Sequence, residues 1–231
     1  MRKTNDSRRL PIFPLPVVLL PEMRLPLHIF EPRYQLMLRH CLEGDRLFGL
    51  SYHSDAEVGR LVVPDLESIG CAAHILHVQP LMDGRANILT IGTDRYRIRR
   101  YLSHDPYLLA EVEFFEDVPP EGEERETVTI LVAHAAALFS RLLRALRLLQ
   151  DLPDQPVALP ENAERLSFTI AAAVLQQPEE LQQVLELVST RTRLELLLTH
   201  LEKLVADYEH RARAHVEAKW NGQRKPPSQV H

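Results

Sequence analysis

The sequence predicts an α+β protein in which a mainly β N-terminal domain is followed by a helical bundle with a long terminal helix. Three observations carry this. Up to about residue 117, apolar runs are short and bounded by Pro, Gly and Asp, as in strands and turns. An acidic, proline-bearing stretch, EDVPPEGEERE (116–126), interrupts the texture. Beyond it, apolar residues recur at helical spacing.

In chain order, residues 1–9 (MRKTNDSRR) are charged and read as a flexible N-terminus. Residues 10–117 form the β domain, with strand-like runs VVLL (17–20), RLFGLSY (46–52), RLVVP (60–64), CAAHILHVQ (71–79), NILTIG (87–92), RYRIRRY (95–101) and LLAEVEFFE (108–116). One helix is expected among them. Pro32 suits its first position, Leu38, Cys41 and Leu42 fall near one side, and Gly44 is the stop. Asp83-Gly84, between two apolar runs, is a hairpin signal. Residues 118–126 read as a linker and 127–220 as the helical domain. Within it, 127–149 is one helix and DLPDQPVALP (151–160) a break. A helix capped by Asn162 follows, and Pro178 opens another. Leu194, Leu197, Leu198, Leu201, Leu204, Val205 and Tyr208 mark one face of a final helix from about Thr190 to Lys219, ended by Asn221-Gly222. Residues 221–231 read as a disordered tail.

The composition is that of a globular chain: 45% hydrophobic, 26% charged, net charge −5, pI about 6.1. The acidic balance argues against a nucleic-acid partner. The run IFPLPVVLLP is too short and proline-broken for a membrane span or signal peptide, and the two cysteines, Cys41 and Cys71, suggest no disulfide framework. The expected setting is cytoplasmic, with no membrane partner.

The chemical motifs of the common enzyme classes are missing. With eight glycines and no GxxxxGK[ST], the sequence offers no phosphate loop, and GxGxxG, GxSxG and HExxH are likewise absent. No cofactor and no metal are expected. His74 and His77 would face opposite sides of a strand, and His210 and His215 lie about 140° apart around a helix, so neither pair converges on an ion. Both cysteines read as small buried hydrophobes. Arg95, Arg97 and Arg99, at period two, would line one strand face, which makes RNA binding the alternative functional reading.

One stretch, LPLHIFEPRY (25–34), supports two readings. His28, Glu31 and Arg33 have the makings of acid-base chemistry. They also fit a strand running into a helix start, with Glu31 beside the positive helix end, Pro32 in the first turn, and His28 and Arg33 free to bond nearby loops. The second reading assigns each residue a local job, and it is the one adopted. It predicts that His28→Ala lowers the melting temperature before it alters any binding.

The same stretch carries a family resemblance. LPIFPLPVVLLPEMRLPLHIFEPRY (10–34), then MLRHCLEGDRLFGL, resembles the opening of the Lon protease N-terminal domain. IGCAAHI (69–75), MDGRANILTIGTDRYRI (82–98), DPYLLAEVEF (105–114) and LQQVLELVSTRTRLELLLTHL (181–201) follow in the family's order. The resemblance implies a PUA-like β-barrel-type domain followed by a helical bundle. It also implies a substrate-binding role without the ATPase and Ser-Lys peptidase modules, since no serine lies in a GDSAG-like context and no lysine occurs between Lys3 and Lys203. The expected partners are unfolded or partly folded client proteins, with a separate protease or ATPase alongside. Leu81 and Met82, at the Asp83-Gly84 turn, are the candidate client-binding residues, since a thioether adapts to varied partners.

Overall fold

The computed structural model describes residues 7–223, with side chains through Trp220. Residues 1–6 and 224–231, the greater parts of the expected N-terminal and C-terminal tails, lie outside the described residues. Ser7–Arg9, expected to be flexible, belong to the first strand instead.

Six strands form one mixed sheet: β1 (Ser7–Leu15), β2 (Arg24–Ile29), β3 (Leu47–Tyr52), β4 (Ile69–Pro80), β5 (Ala86–Ser103) and β6 (Leu108–Phe115). The order is β2-β5-β4-β3-β1-β6, and β6 also pairs with β5, closing the sheet on itself. The 18-residue β5 makes this possible. On one side its first half pairs with β2 and its second half with β6, while β4 runs along the other side. Tyr96 and Ile98 of β5, Leu108, Ala110 and Val112 of β6, Leu10 and Ile12 of β1, and Ala72 of β4 fill the interior. Their period-two spacing on β5 and β6 is the alternation of a strand with one buried face.

Two expected strands are not strands. Val17–Leu20 is irregular chain, although Val18, Leu19 and Leu20 are buried, and 60–64 is irregular as well. A short apolar run reports burial before it reports conformation. The strand that forms near the N-terminus is β1, despite Pro11 and Pro14 within it. Antiparallel pairing with β6 covers Ser7–Ile12, and parallel pairing with β3 covers Ile12–Leu15. Each proline therefore sits where β1 has one neighbour, the edge-like setting in which a missing N–H is tolerated.

A bulge overturns the expected histidine geometry. The β4 register slips between Ile75 and His77, so that His74 faces Ile91 and His77 faces Leu89. Those partners are two apart on β5, which puts both histidines on one face. Even so, no group of three or more His, Cys, Asp and Glu suited to a metal occurs among the described residues.

Five α-helices complete the described residues: α1 (Pro32–Glu43), α2 (Glu123–Leu149), α3 (Ala163–Val174), α4 (Pro178–Glu186) and α5 (Thr190–Gln223). Asn162 Oδ1 accepts the Arg165 amide at 3.0 Å, a helix-start bond of the expected kind. Asn221-Gly222 does not stop α5, which runs to Gln223; one glycine costs a helix about 1 kcal/mol, which a long preceding run tolerates.

The chain divides into two compact units, and the division differs from the expected one. The first contains residues 1–119 together with 167–190, the second 120–166 and 191–231. Residues 167–190 thus go with the sheet and not with the helical domain. In the first unit, α4 packs on β4, Gln182 Nε2 donates to Ile69 O at 3.1 Å, and Val118 N donates to Val188 O at 2.9 Å. In the second unit, α2 and α5 are joined by a two-pronged Arg141–Glu209 pair at 2.8 and 2.9 Å. By length and composition α2 is apolar enough to cross a bilayer, a property it shares with core helices of soluble proteins, and Ala135, Leu138, Phe139, Leu142 and Ala145 are buried in it.

Candidate functional site

The segment that opened two readings lines a cleft of about 180 Å³ in the first unit. One wall is Leu27–Glu31 with Tyr34. The other is Phe13–Pro16 with residues of the β3–β4 connection, Ala56, Glu57, Val58, Arg60 and Val62. The lining is mostly apolar, and polar groups sit along its rim.

Those polar groups bond to one another and to backbone. His28 Nδ1 lies 2.7 Å from Asn87 Oδ1 on the neighbouring strand, and its ring stacks on Phe30 with centroids 5.6 Å apart. Glu31 Oε2 accepts the Gly59 amide at 3.3 Å and faces Arg33 Nε at 3.4 Å, while Arg33 Nη2 donates to Gly59 O at 3.2 Å. Pro32 opens α1 at a position where the missing N–H is no loss. Burial, and then the Glu31 carboxylate, push the Tyr34 hydroxyl up to about 12, so it stays protonated against Phe13, 4.0 Å away ring to ring. These are positioning contacts. None places a base against an activated nucleophile.

Neither cysteine supplies one. Burial pushes Cys41 up to about 11 and Cys71 higher still, so neither is a thiolate at neutral pH. Cys41 donates to Leu47 O, and Cys71 has no exposed surface. His215 Nε2 bonds the Asp151 carboxylate, which also receives Lys219.

The β4–β5 hairpin turns where Asp83-Gly84 signalled it, with φ of 66° and 75° at the two residues, the positive values a tight hairpin needs. Met82 is 84% exposed, and Leu81 is exposed beside it. Ile29 pairs with Ala86, so Phe30 and the hairpin occupy the same end of the sheet. A Cβ on Gly84 would come 3.0 Å from Gln35 Oε1, and Gln35 Nε2 donates to Phe30 O, so the turn lies close to the start of α1. Phe30 at 40% and Val58 at 73% exposure add apolar surface here that sequence reasoning missed. Phe30 was hidden inside a strand pattern, and Val58 lies between the 46–52 and 60–64 runs, where no element was expected.

The arginine stripe is corrected. Arg95 is 1% exposed, donating to Leu185 O at 3.0 Å, Leu187 O at 2.6 Å and Asp117 Oδ1 at 2.5 Å, with its guanidinium over Phe115 and Phe168. Arg97 pairs with Glu67, and Arg99 with both Glu67 and Glu113. The three do share a strand face, but the 167–190 segment covers one end of it. Acidic partners neutralise the rest.

The first unit is thus a closed small barrel with buried thiols and exposed apolar side chains at one end. The chain belongs to the family of the ATP-dependent protease La (LON) substrate-binding domain, whose model matches residues 9–203. It is 30% identical over 202 residues to the Lon protease of Vibrio parahaemolyticus and 28% identical over 202 residues to that of Escherichia coli. Each match covers 86% of this chain and 25% of the relative, so the chain spans about a quarter of the curated relatives it matches. That quarter is the substrate-binding part, distinct from the ATPase and protease modules. Among solved structures, a Lon N-terminal domain protein from Xanthomonas campestris superposes with a TM-score of 0.56 at 25% identity, covering 83% of this chain and 98% of that one. The N-terminal domain of Mycobacterium avium complex Lon protease gives 0.57 at 18% identity over 84% and 98%, a likeness of fold.

Proposed function

We propose that this substrate-binding module recognises unfolded or partly folded segments of client proteins, acting as a non-catalytic adaptor in the cytoplasm alongside a separate ATPase or protease. The observation that carries the reading is the cluster of exposed apolar side chains at one end of the barrel: Met82 and Leu81 on the hairpin, with Phe30 and Val58 at the cleft. Large apolar groups gathered on one surface mark interaction sites. A methionine at 84% exposure adapts its shape to varied side chains at little cost.

The test is an anisotropy titration against a labelled, permanently unfolded protein, without ATP and at two salt concentrations. Saturable, salt-tolerant binding is expected. Burying a methionine side chain contributes about 1.5–3 kcal/mol, so Met82→Asp should weaken binding about tenfold or more. No binding by wild type at tens of micromolar would sink the proposal. Binding that collapses with salt and on Arg97→Glu would favour the RNA-type electrostatic alternative instead.

A further inference from the structure

The β3–β4 connection supplies one wall of the cleft, and its attachment is unusual. At one end His53 N donates to Leu15 O at 2.9 Å, and at the other Leu61 packs against the barrel interior. Between them, residues 54–60 bond mostly to one another and to the adjacent His53: Ala56 N to His53 O, Asp55 N to His53 Nδ1, Arg60 N to Glu57 O, and Ser54 to Asp55. Among the described hydrogen bonds of 54–60, those reaching the rest of the fold are the two on Gly59. Its amide goes to Glu31, and its carbonyl accepts from Arg33. Gly59 has φ +82°, and a Cβ there would meet no atom within 4 Å. A side chain there would point into open space, and Gly59 itself is exposed. The glycine meets a conformational need, and the Glu31–Arg33 pair supplies the hold.

We propose that residues 54–60 are a latched strap: Glu31 and Arg33 hold it shut along the cleft, and a client segment that packs an apolar side chain against Phe30 displaces it. This rests on the client-binding reading above. It also gives the Glu-Pro-Arg part of LPLHIFEPRY a task beyond starting α1. Two bonds on an exposed backbone group are a weak hold, so the open form is within thermal reach, in line with local openings at the low-stability end of a fold.

Trypsin reports the strap directly, because Arg60 lies in it and cleavage requires an extended, released backbone. Two variants test the latch: E31Q/R33Q, which removes both charges, and Gly59→Ala, which keeps them but penalises the positive φ. Both should raise the cleavage rate after Arg60 about fivefold or more, with little change in melting temperature, since the open population governs the cut. An unchanged rate in both variants overturns the latch. In E31Q/R33Q, affinity for a labelled carboxymethylated unfolded protein should tighten severalfold, because the binding-competent form no longer has to be released. Faster cleavage with unchanged affinity overturns the gating role while leaving client binding intact. If wild type binds no unfolded protein, the client reading and its gate fail together, and the cleavage data still decide whether the latch exists.

Discussion

Arg95 carries more of the first unit's stability than any arginine around it. Its guanidinium is buried with the Asp117 carboxylate, and Thr190 also donates to that carboxylate. Removing the arginine breaks its buried pair with Asp117, a loss that costs about 3–5 kcal/mol for a pair of this kind. Arg95→Ala should therefore lower the denaturant midpoint steeply. Arg97→Ala, at a half-exposed surface pair, should cost at most about 1 kcal/mol in the same titration. Arg95→Lys should not rescue, because a lysine lacks the planar fork that reaches two carbonyls and a carboxylate together. From the sequence, Arg95, Arg97 and Arg99 were equivalent. What separates them is a helical segment some ninety residues later, and no local pattern could announce it.

At the scale of elements, the resembling motifs were legible while their physical cause was not. Gly49 of β3 and Gly70 of β4 lie under the ring of Tyr96, and a Cβ at either would come 2.6 or 2.4 Å from its hydroxyl oxygen. That hydroxyl bonds Ser51 Oγ at 2.7 Å inside the barrel, and burial pushes its pKa upward. Three strands are thus cross-linked by one aromatic ring and two missing side chains. Gly70→Ala should cost about 1–3 kcal/mol through overpacking, while Gly44→Ala, whose Cβ would sit 3.5 Å from the nearest atom, should be near neutral. Thermal melts of the two variants would separate them. The helices were read more securely than the strands, since α2 and α5 carry long periods and Pro178 marks the start of α4, whereas the 17–20 and 60–64 runs were too short to specify conformation. The cleft was half legible. Its motif wall stood out, but the strap wall is irregular chain that no period describes.

For the molecule as a whole, acid should weaken the second unit. Hydrogen bonding to Arg141 holds Glu209 below its ordinary value, and bonding to Lys219 and then His215 does the same for Asp151. A carboxylate with a depressed folded-state pKa contributes stability above its unfolded pKa and loses it as pH falls through the folded one. The melting temperature should therefore decline below about pH 4.5, and Glu209→Gln should flatten that decline without steepening it. A fragment ending at Pro119, the barrel as strands alone would define it, should fail to fold stably. It leaves Arg95 without Leu185 O and Leu187 O, and Ile69 O without Gln182. A sharp melt from that fragment would contradict the division described above.

That division has a consequence for how the protein is made. The backbone passes between the two units at 119–120, 166–167 and 190–191, so the first unit is discontinuous along the chain. Synthesis runs from the N-terminus at about 5–20 residues per second. All six strands leave the ribosome well before the piece that covers Arg95 exists. For several seconds the nascent barrel carries the Arg95–Asp117 pair uncovered, without Leu185 O and Leu187 O, and its final form waits on residues 167–190. Completion of the first unit is thereby timed by translation of residues 120–166, the part of the second unit that precedes its last piece.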